Sequence, residues 1–242
     1  MNAFLLITKY EVIMKKFTAF FFIFIAFYSY AEGGITIGAT RVIYNEGAKQ
    51  ESLKIINKNK DAQYLVQSWV TKSDKDNEAT KTFITTPPIF ALKNDTTGTV
   101  RVMALKTEKL PSDRESVFYL NIKTIPAIQE KQNSNEAISG RLIVTTRSIL
   151  KLFYRPASIS NPDYAKMFDK LTGEIINGKS YIINETPYHV TATKFNIEGK
   201  GLDEVKFIEP FSKEKIYDSP LPKINFKIVN DFGGTTDKTI TF

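Results

Sequence analysis

The chain has 242 residues, enough for one large or two ordinary domains, and its 42% hydrophobic and 24% charged residues exclude a disordered chain. The formal charge of +7 falls to about +5 once Lys9, Lys15, Lys16 and Glu11 are discounted, and the basic residues are interleaved with acidic ones, so nucleic acid is not an expected partner. The absence of cysteine excludes disulfides and thiolate metal sites, leaving stability to the cores alone.

The N-terminus reads as a targeting segment. Met14-Lys15-Lys16 precedes the apolar run FTAFFFIFIAF and the small residue Ala31, the pattern of a secretory signal peptide over residues 1–31. An uncleaved anchor is the competing reading, but the apolar run is shorter than the ~20 residues a membrane helix requires. Stable membrane insertion is therefore not expected. Residues 1–13 add nothing a signal requires, so Met14 is an alternative start, and the mature chain is expected from Glu32.

From there the sequence reads as strands almost throughout. ITIGATRVIY, SLKIINK, QYLVQSWV, TFITTPPIFAL, TVRVMAL, SVFYLNIKTI and GRLIVTTRSILKLFY follow one another, separated by Asn, Asp, Lys, Gly and Pro clusters. About seven short strands at this spacing predict an immunoglobulin-like sandwich. RPASISNPDY breaks the pattern with two prolines, and DYAKMFDKL predicts a short helical turn. A second strand set comes next: GEIINGKSYIINE, YHVTATKFNI, EVKFIEPF, KINFKIVND and KTITF. The fold class is thus all-β, with two sandwich domains over residues 32–156 and 157–242. Residues 126–139 form a long, polar hairpin connection, either a tolerated insertion or a loop that orders on a partner.

The motifs with catalytic associations have plainer readings. GEIINGKS matches a phosphate-loop pattern, but that pattern needs a following helix. Here Asn177-Gly178 between β-branched runs predicts a hairpin turn, so no nucleotide site is expected. His189 is the single histidine, which leaves no ordinary zinc site, and no nucleophile motif accompanies it. It is read as a strand histidine at a surface or cavity. No catalytic machinery, cofactor or metal is expected. An exported hydrolase would have to rely on His189 or an unseen carboxylate pair.

The stretch ILKLFYRP poses the sharper question. Lys151 and Arg155 sit among large apolar residues, and a buried cation needs an anionic partner. Glu115 in DRES and Asp231 in NDFGG are carboxylates beside apolar sequence, each by itself a plausible turn residue.

Together these pieces carry a resemblance. ATRVIY (39–44), TPPIFAL (86–92), PSDRESVFYLNIKTIP (111–126), KLFYRP (151–156), NETPYHVT (184–191) and NDFGG (230–234) are similar, in order, to motifs of the periplasmic pilus-assembly chaperones. These are the PapD-like or FimC-like proteins of chaperone–usher pathways.

The resemblance implies two immunoglobulin-like domains set at an angle, with a cleft between them. It implies that Arg41 and Lys151 bind the C-terminal carboxylate of a pilus subunit there. It implies further that one face of the strand before Lys151, made of Ile138, Gly140, Leu142, Val144 and Thr146, completes the subunit's unfinished fold by donor-strand complementation. Arg155 is implied to pair with Glu115 and Asp231 in a structural ion cluster between the domains. The implied partners are pilus subunits and an outer-membrane usher in the periplasm of a Gram-negative bacterium. Separately, an apolar edge strand allows self-association of the free chaperone, which the sequence leaves open. The 126–139 loop is similar to that of the long-loop subgroup serving thin or capsule-like fibres, though without that subgroup's usual disulfide. The alternative is a structural pilus subunit or a two-domain surface adhesin. Such a protein would need an incomplete fold or a free N-terminal donor extension, for which EGGIT leaves little room.

Overall fold

The computed structural model describes residues 34–127 and 143–242. Ile138, Gly140 and Leu142, three of the expected donor-face positions, lie outside them, as does most of the 126–139 loop and the expected signal segment.

The described chain forms two β-sandwiches. In the first, one sheet orders β1 (Ile35–Ile37), β3 (Glu51–Asn57), β7 (Thr97–Ala104) and β5 (Phe83–Thr86). The facing sheet orders β2 (Arg41–Asn45), β9 (Thr146–Arg155), β8 (Ser116–Pro126), β4 (Tyr64–Thr71) and β6 (Ile89–Leu92). In the second sandwich, β10 (Leu171–Ile176), β11 (Lys179–Asn184) and β14 (Ser212–Tyr217) face β13 (Lys200–Ile208), β12 (Val190–Ile197), β15 (Lys223–Val229) and β16 (Thr235–Thr241). A 3-10 turn (Ala157–Ile159) and the one-and-a-half-turn helix α1 (Tyr164–Asp169) connect them. The Asp163 side chain caps that helix by accepting from the Lys166 amide.

Alternation builds each core. Val66, Val70, Leu120, Ile122, Leu152 and Val100 interdigitate in the first sandwich, and Ile182, Phe195, Ile208, Ile224 and Ile228 in the second. Each buried side chain of this size is worth about 1.5–3 kcal/mol relative to exposure. Two separate cores of this kind let the fold stand without disulfides.

Three elements differ from the sequence reading. ITIGATRVIY is two strands: β1 pairs antiparallel with β3, whereas β2 crosses to the other sheet and pairs parallel with β9. Gly38 permits the crossing, because a Cβ there would stand 3.3 Å from the Lys54 Cβ and carbonyl oxygen. TFITTPPIFAL is likewise β5 and β6 in opposite sheets, since Pro87 and Pro88 have no amide to continue a ladder. The strand β14, SKEKIY, was not expected. Three of its six residues are charged and only Ile216 is buried, so an edge strand reads as polar loop.

At Asn177-Gly178 both residues take positive φ, 50° and 73°, and close the β10–β11 hairpin between Ile176 and Lys179. Gly173 is inside β10 rather than in a loop ahead of a helix, so the phosphate-loop geometry does not form.

Candidate functional site

Strand β9 organises the surface where the two sandwiches meet. Its alternation sends Leu150, Leu152 and Tyr154 into the first core and leaves Ile149, Lys151, Phe153 and Arg155 on the opposite face. Phe153 on that face meets the second sandwich directly, 5.4 Å from the His189 ring and 6.2 Å from Phe207.

Arg155, at the end of β9, is surrounded by anions. Its Nε and Nη2 donate to Glu115 Oε1 at 2.9 and 2.7 Å, and its Nη1 and Nη2 donate to the two Asp231 oxygens at 2.7 and 3.2 Å. The side chains of Arg155 and Glu115 are 5% and 2% exposed, so this is a desolvated pair, with Asp231 more accessible at 18%. Glu115 uses its second oxygen to accept the His189 amide at 2.8 Å, and the Glu115 amide donates to Pro187 O. The Tyr164 hydroxyl donates to Asp231 at 2.5 Å, and the Arg155 guanidinium lies over the Tyr188 ring. Burial works against the Arg155 charge, but the hydrogen bonds to Asp231 and the charges of Glu115 and Asp231 outweigh it and hold its pKa above the ordinary arginine value. Burial, then the bond to Asp231 and its charge, push the Tyr164 phenol up to about 12. The side-chain donors and acceptors of Arg155, Glu115, Asp231 and Tyr164 are thus partnered, whereas the buried His189 Nδ1, 3.4 Å from Glu115 Oε2, makes no hydrogen bond.

Four residues before Arg155, Lys151 has the opposite surroundings. In the parallel ladder it stands opposite Arg41, so two cations are neighbours on one face. Among the described residues neither makes an ion pair. Arg41 Nη1 donates to Val229 O at 3.3 Å, while its buried Nε has no partner. Both are half-buried. Desolvation, then the repulsion of Arg41, push the Lys151 pKa down, with Asp74 opposing. Desolvation also lowers Arg41, although Asp231, Glu115 and Tyr164 support its charge.

The two cations line an open cavity of about 310 Å³ together with Thr40, Asp74, Tyr119 and Ile149. Arg41 also lines a small enclosed cavity of about 10 Å³ beside Arg155, Glu115 and Asp231. The cation pair and the ion cluster are therefore contiguous through Arg41.

On the N-terminal side of Lys151 the strand has a neighbour on one edge only. Strand β2 covers β9 only from Lys151 to Arg155, whereas β8 pairs with it from Thr146 onward. Among the described residues, Thr146–Leu150 therefore has one unpaired ladder edge. The face that buries Leu150 continues to exposed Thr146 at the start of β9, and Val144, two residues before the strand begins, is 67% exposed. At the strand's base Arg147 is held in place. Its Nε donates to buried Asn121 at 2.9 Å, its Nη atoms donate to Asn77 Oδ1 and Asp76 O, and its guanidinium stacks on Trp69.

The structure thus brings Arg41 beside Lys151 and Arg155 between Glu115 and Asp231. Thr146 begins β9 and is exposed, and Val144 is exposed ahead of the strand rather than within it; among the described residues the strand expected from Gly140 forms, as β9, only from Thr146. His189 stacks on the Phe207 ring, 5.1 Å between centroids with nearly parallel planes, beside the enclosed cavity. Sequence reasoning missed Tyr164, Tyr188, Phe207 and Arg147. Among the described residues no group of three or more His, Cys, Asp or Glu side chains is placed to hold a metal, and no helix is long and apolar enough to cross a membrane.

Two immunoglobulin-like sandwiches in this arrangement are the fold of the pilus-assembly chaperones, and similarity to known proteins makes the same assignment. The chain belongs to the PapD family. Residues 34–160 match the pili and flagellar-assembly chaperone PapD N-terminal domain, and residues 167–240 match the pili assembly chaperone PapD C-terminal domain. It is 36% identical over 213 residues to the chaperone protein FimC of Escherichia coli K12, covering 86% of this chain and 84% of that one. It is 31% identical over 209 residues to the Escherichia coli chaperone protein PapD, covering 84% of each. Among solved structures, the periplasmic chaperone SfaE superposes with a TM-score of 0.69 at 31% identity, over 86% of this chain and 98% of that one. The Escherichia coli chaperone DraB gives 0.71 at 29%, over 87% and 96%.

Proposed function

We propose that this chain is a non-enzymatic periplasmic chaperone that binds fimbrial subunits, completes their fold with its own β9 edge, and passes them to an outer-membrane usher. The observation that carries the reading is the pair Arg41–Lys151. Two half-buried cations side by side, neither in an ion pair among the described residues, cost free energy in the empty protein that a bound carboxylate would offset. A free C-terminal carboxylate supplies that charge through charge-assisted hydrogen bonds, roughly twice as strong as neutral ones.

The anchor also sets register. A partner chain leaving the cavity along β9 finds unpaired backbone from Leu150 outward, and a one-residue slip would turn every side chain to the wrong face. Val144 and Thr146, with Leu142, Gly140 and Ile138 beyond them, supply the donor face. Arg155, Glu115 and Asp231 serve as the structural cluster that joins residues 32–156 to residues 157–242. No nucleotide is required, because the donor strand is released by exchange with another strand.

Co-expression of a fimbrial subunit in the periplasm with wild-type protein or Lys151→Ala tests the proposal. Co-purification of the subunit with wild type and its loss with the variant is the expected result. Equal recovery with a folded Lys151→Ala would overturn it.

A further inference from the structure

Lys151 makes no ion pair among the described residues, but it has an aromatic neighbour. Its Nζ lies 4.1 Å from the centroid of the Phe207 ring, within cation–π range. Phe207 belongs to β13, in the second sandwich, whereas Lys151 belongs to β9 in the first. The ring itself is fixed. It stacks on His189 at 5.1 Å with a 7° interplanar angle and packs 6.2 Å from Phe153. His189 is tied in turn, through its amide, to Glu115 of the ion cluster. Among the described residues this ring is the one cation–π partner of the ammonium, which shares its cavity with Arg41, Asp74 and Tyr119.

We infer that Phe207 is a positioning residue for carboxylate capture: its π face holds the Lys151 ammonium in the cavity beside Arg41, so that the anchor is assembled from both sandwiches. This rests on the reading of Arg41 and Lys151 given under Proposed function. A lysine carries four flexible methylenes and three N–H donors, and ordering it costs rotamer entropy. A ring on one side of the ammonium meets part of that cost before the ligand arrives and leaves the remaining donors for a carboxylate. It also accommodates the charge without neutralising it, which an aspartate in the same place would not do.

A consequence follows for the ion cluster. The chain of contacts Lys151–Phe207–His189–Glu115–Arg155 makes the anchor's geometry depend on the second sandwich holding its place. A free first sandwich would have the lysine but not the position.

The test uses the full chain and a synthetic peptide of alternating apolar and polar residues, prepared with a free C-terminal carboxylate and as the C-terminal amide. The ratio of acid to amide affinity is measured for wild type, Phe207→Leu, Phe207→Tyr and Lys151→Ala. Phe207→Leu is expected to lower acid affinity about three- to tenfold, the range a cation–π contact supports, with amide affinity unchanged. Phe207→Tyr, which keeps the ring, is expected to remain within about twofold of wild type. Should Phe207→Leu fail to fold, Phe207→Met gives the same aliphatic comparison. An unchanged or raised ratio in a folded aliphatic variant, or equal loss of acid and amide binding, would overturn the inference. Lys151→Ala separates the two readings: if it leaves the ratio as in wild type, the carboxylate anchor itself fails, whatever Phe207 does.

Discussion

Two cations on one face of β9, four residues apart, have opposite surroundings. Arg155 meets two carboxylates with four hydrogen bonds, and its charge is stabilised. Lys151 meets another cation and an aromatic ring, and its charge is destabilised. A buried charge completed within the fold holds the fold, whereas one left without an ion pair is, in the function proposed above, the place for a partner's carboxylate.

The largest expected effect breaks the first half of that contrast. Arg155→Ala strands Glu115 and Asp231 and should cost about 3–5 kcal/mol in urea denaturation, enough to threaten folding itself. Lys151→Ala should shift stability by less than about 1 kcal/mol, because the lost side chain is a half-desolvated cation that makes no ion pair among the described residues, yet abolish subunit co-purification. A comparable stability loss in both variants would erase the contrast. Next, Val144→Asp should leave the melting temperature unchanged, since Val144 is exposed, while weakening subunit binding by roughly the ~1.5–3 kcal/mol of a buried apolar side chain. Tyr164→Phe removes a hydroxyl bond to Asp231 and should destabilise by about 1.5 kcal/mol, the lower end for hydrogen bonds to charged groups.

The smallest effect concerns pH. Burial, then Arg41, lower the Lys151 pKa in the empty site, and a bound carboxylate would favour the ammonium again. Affinity for a C-terminal carboxylate is therefore full while free Lys151 is protonated and declines as pH rises through its depressed pKa. The decline should set in below the ordinary lysine value of about 10.4 in a fluorescence titration, and an onset above it would contradict the assignment.

Much of this was legible in the sequence, for physical reasons. Period-two alternation in SILKLFYR placed Lys151 and Arg155 on one face without any structure, because a strand leaves side chains no other choice. The hairpin at Asn177-Gly178 was equally plain. What alternation could not supply was partners distant in sequence. Tyr164 reaches Asp231 from a helix of six residues, and Phe207 reaches Lys151 from a strand whose exposed, charged start hides its buried end. The pairing of Arg155 with Glu115 and Asp231 came from the resemblance, since nothing in DRES or NDFGG alone distinguishes a cluster member from a turn residue. The sheet switch at Gly38 was hidden for a related reason: ITIGATRVIY alternates on both sides of the break, and only the close approach to Lys54 shows why the chain crosses there.

The central claim, that Arg41 and Lys151 form an incomplete charge site for a C-terminal carboxylate, is tested most directly by calorimetric titration of wild type and Lys151→Ala with one peptide in acid and amide forms. The account predicts that wild type binds the acid at least about tenfold more tightly, a charge-assisted contribution near 1.4 kcal/mol or more, and that the preference vanishes in the variant. Equal binding of acid and amide by wild type, or an undiminished preference in Lys151→Ala, would contradict it.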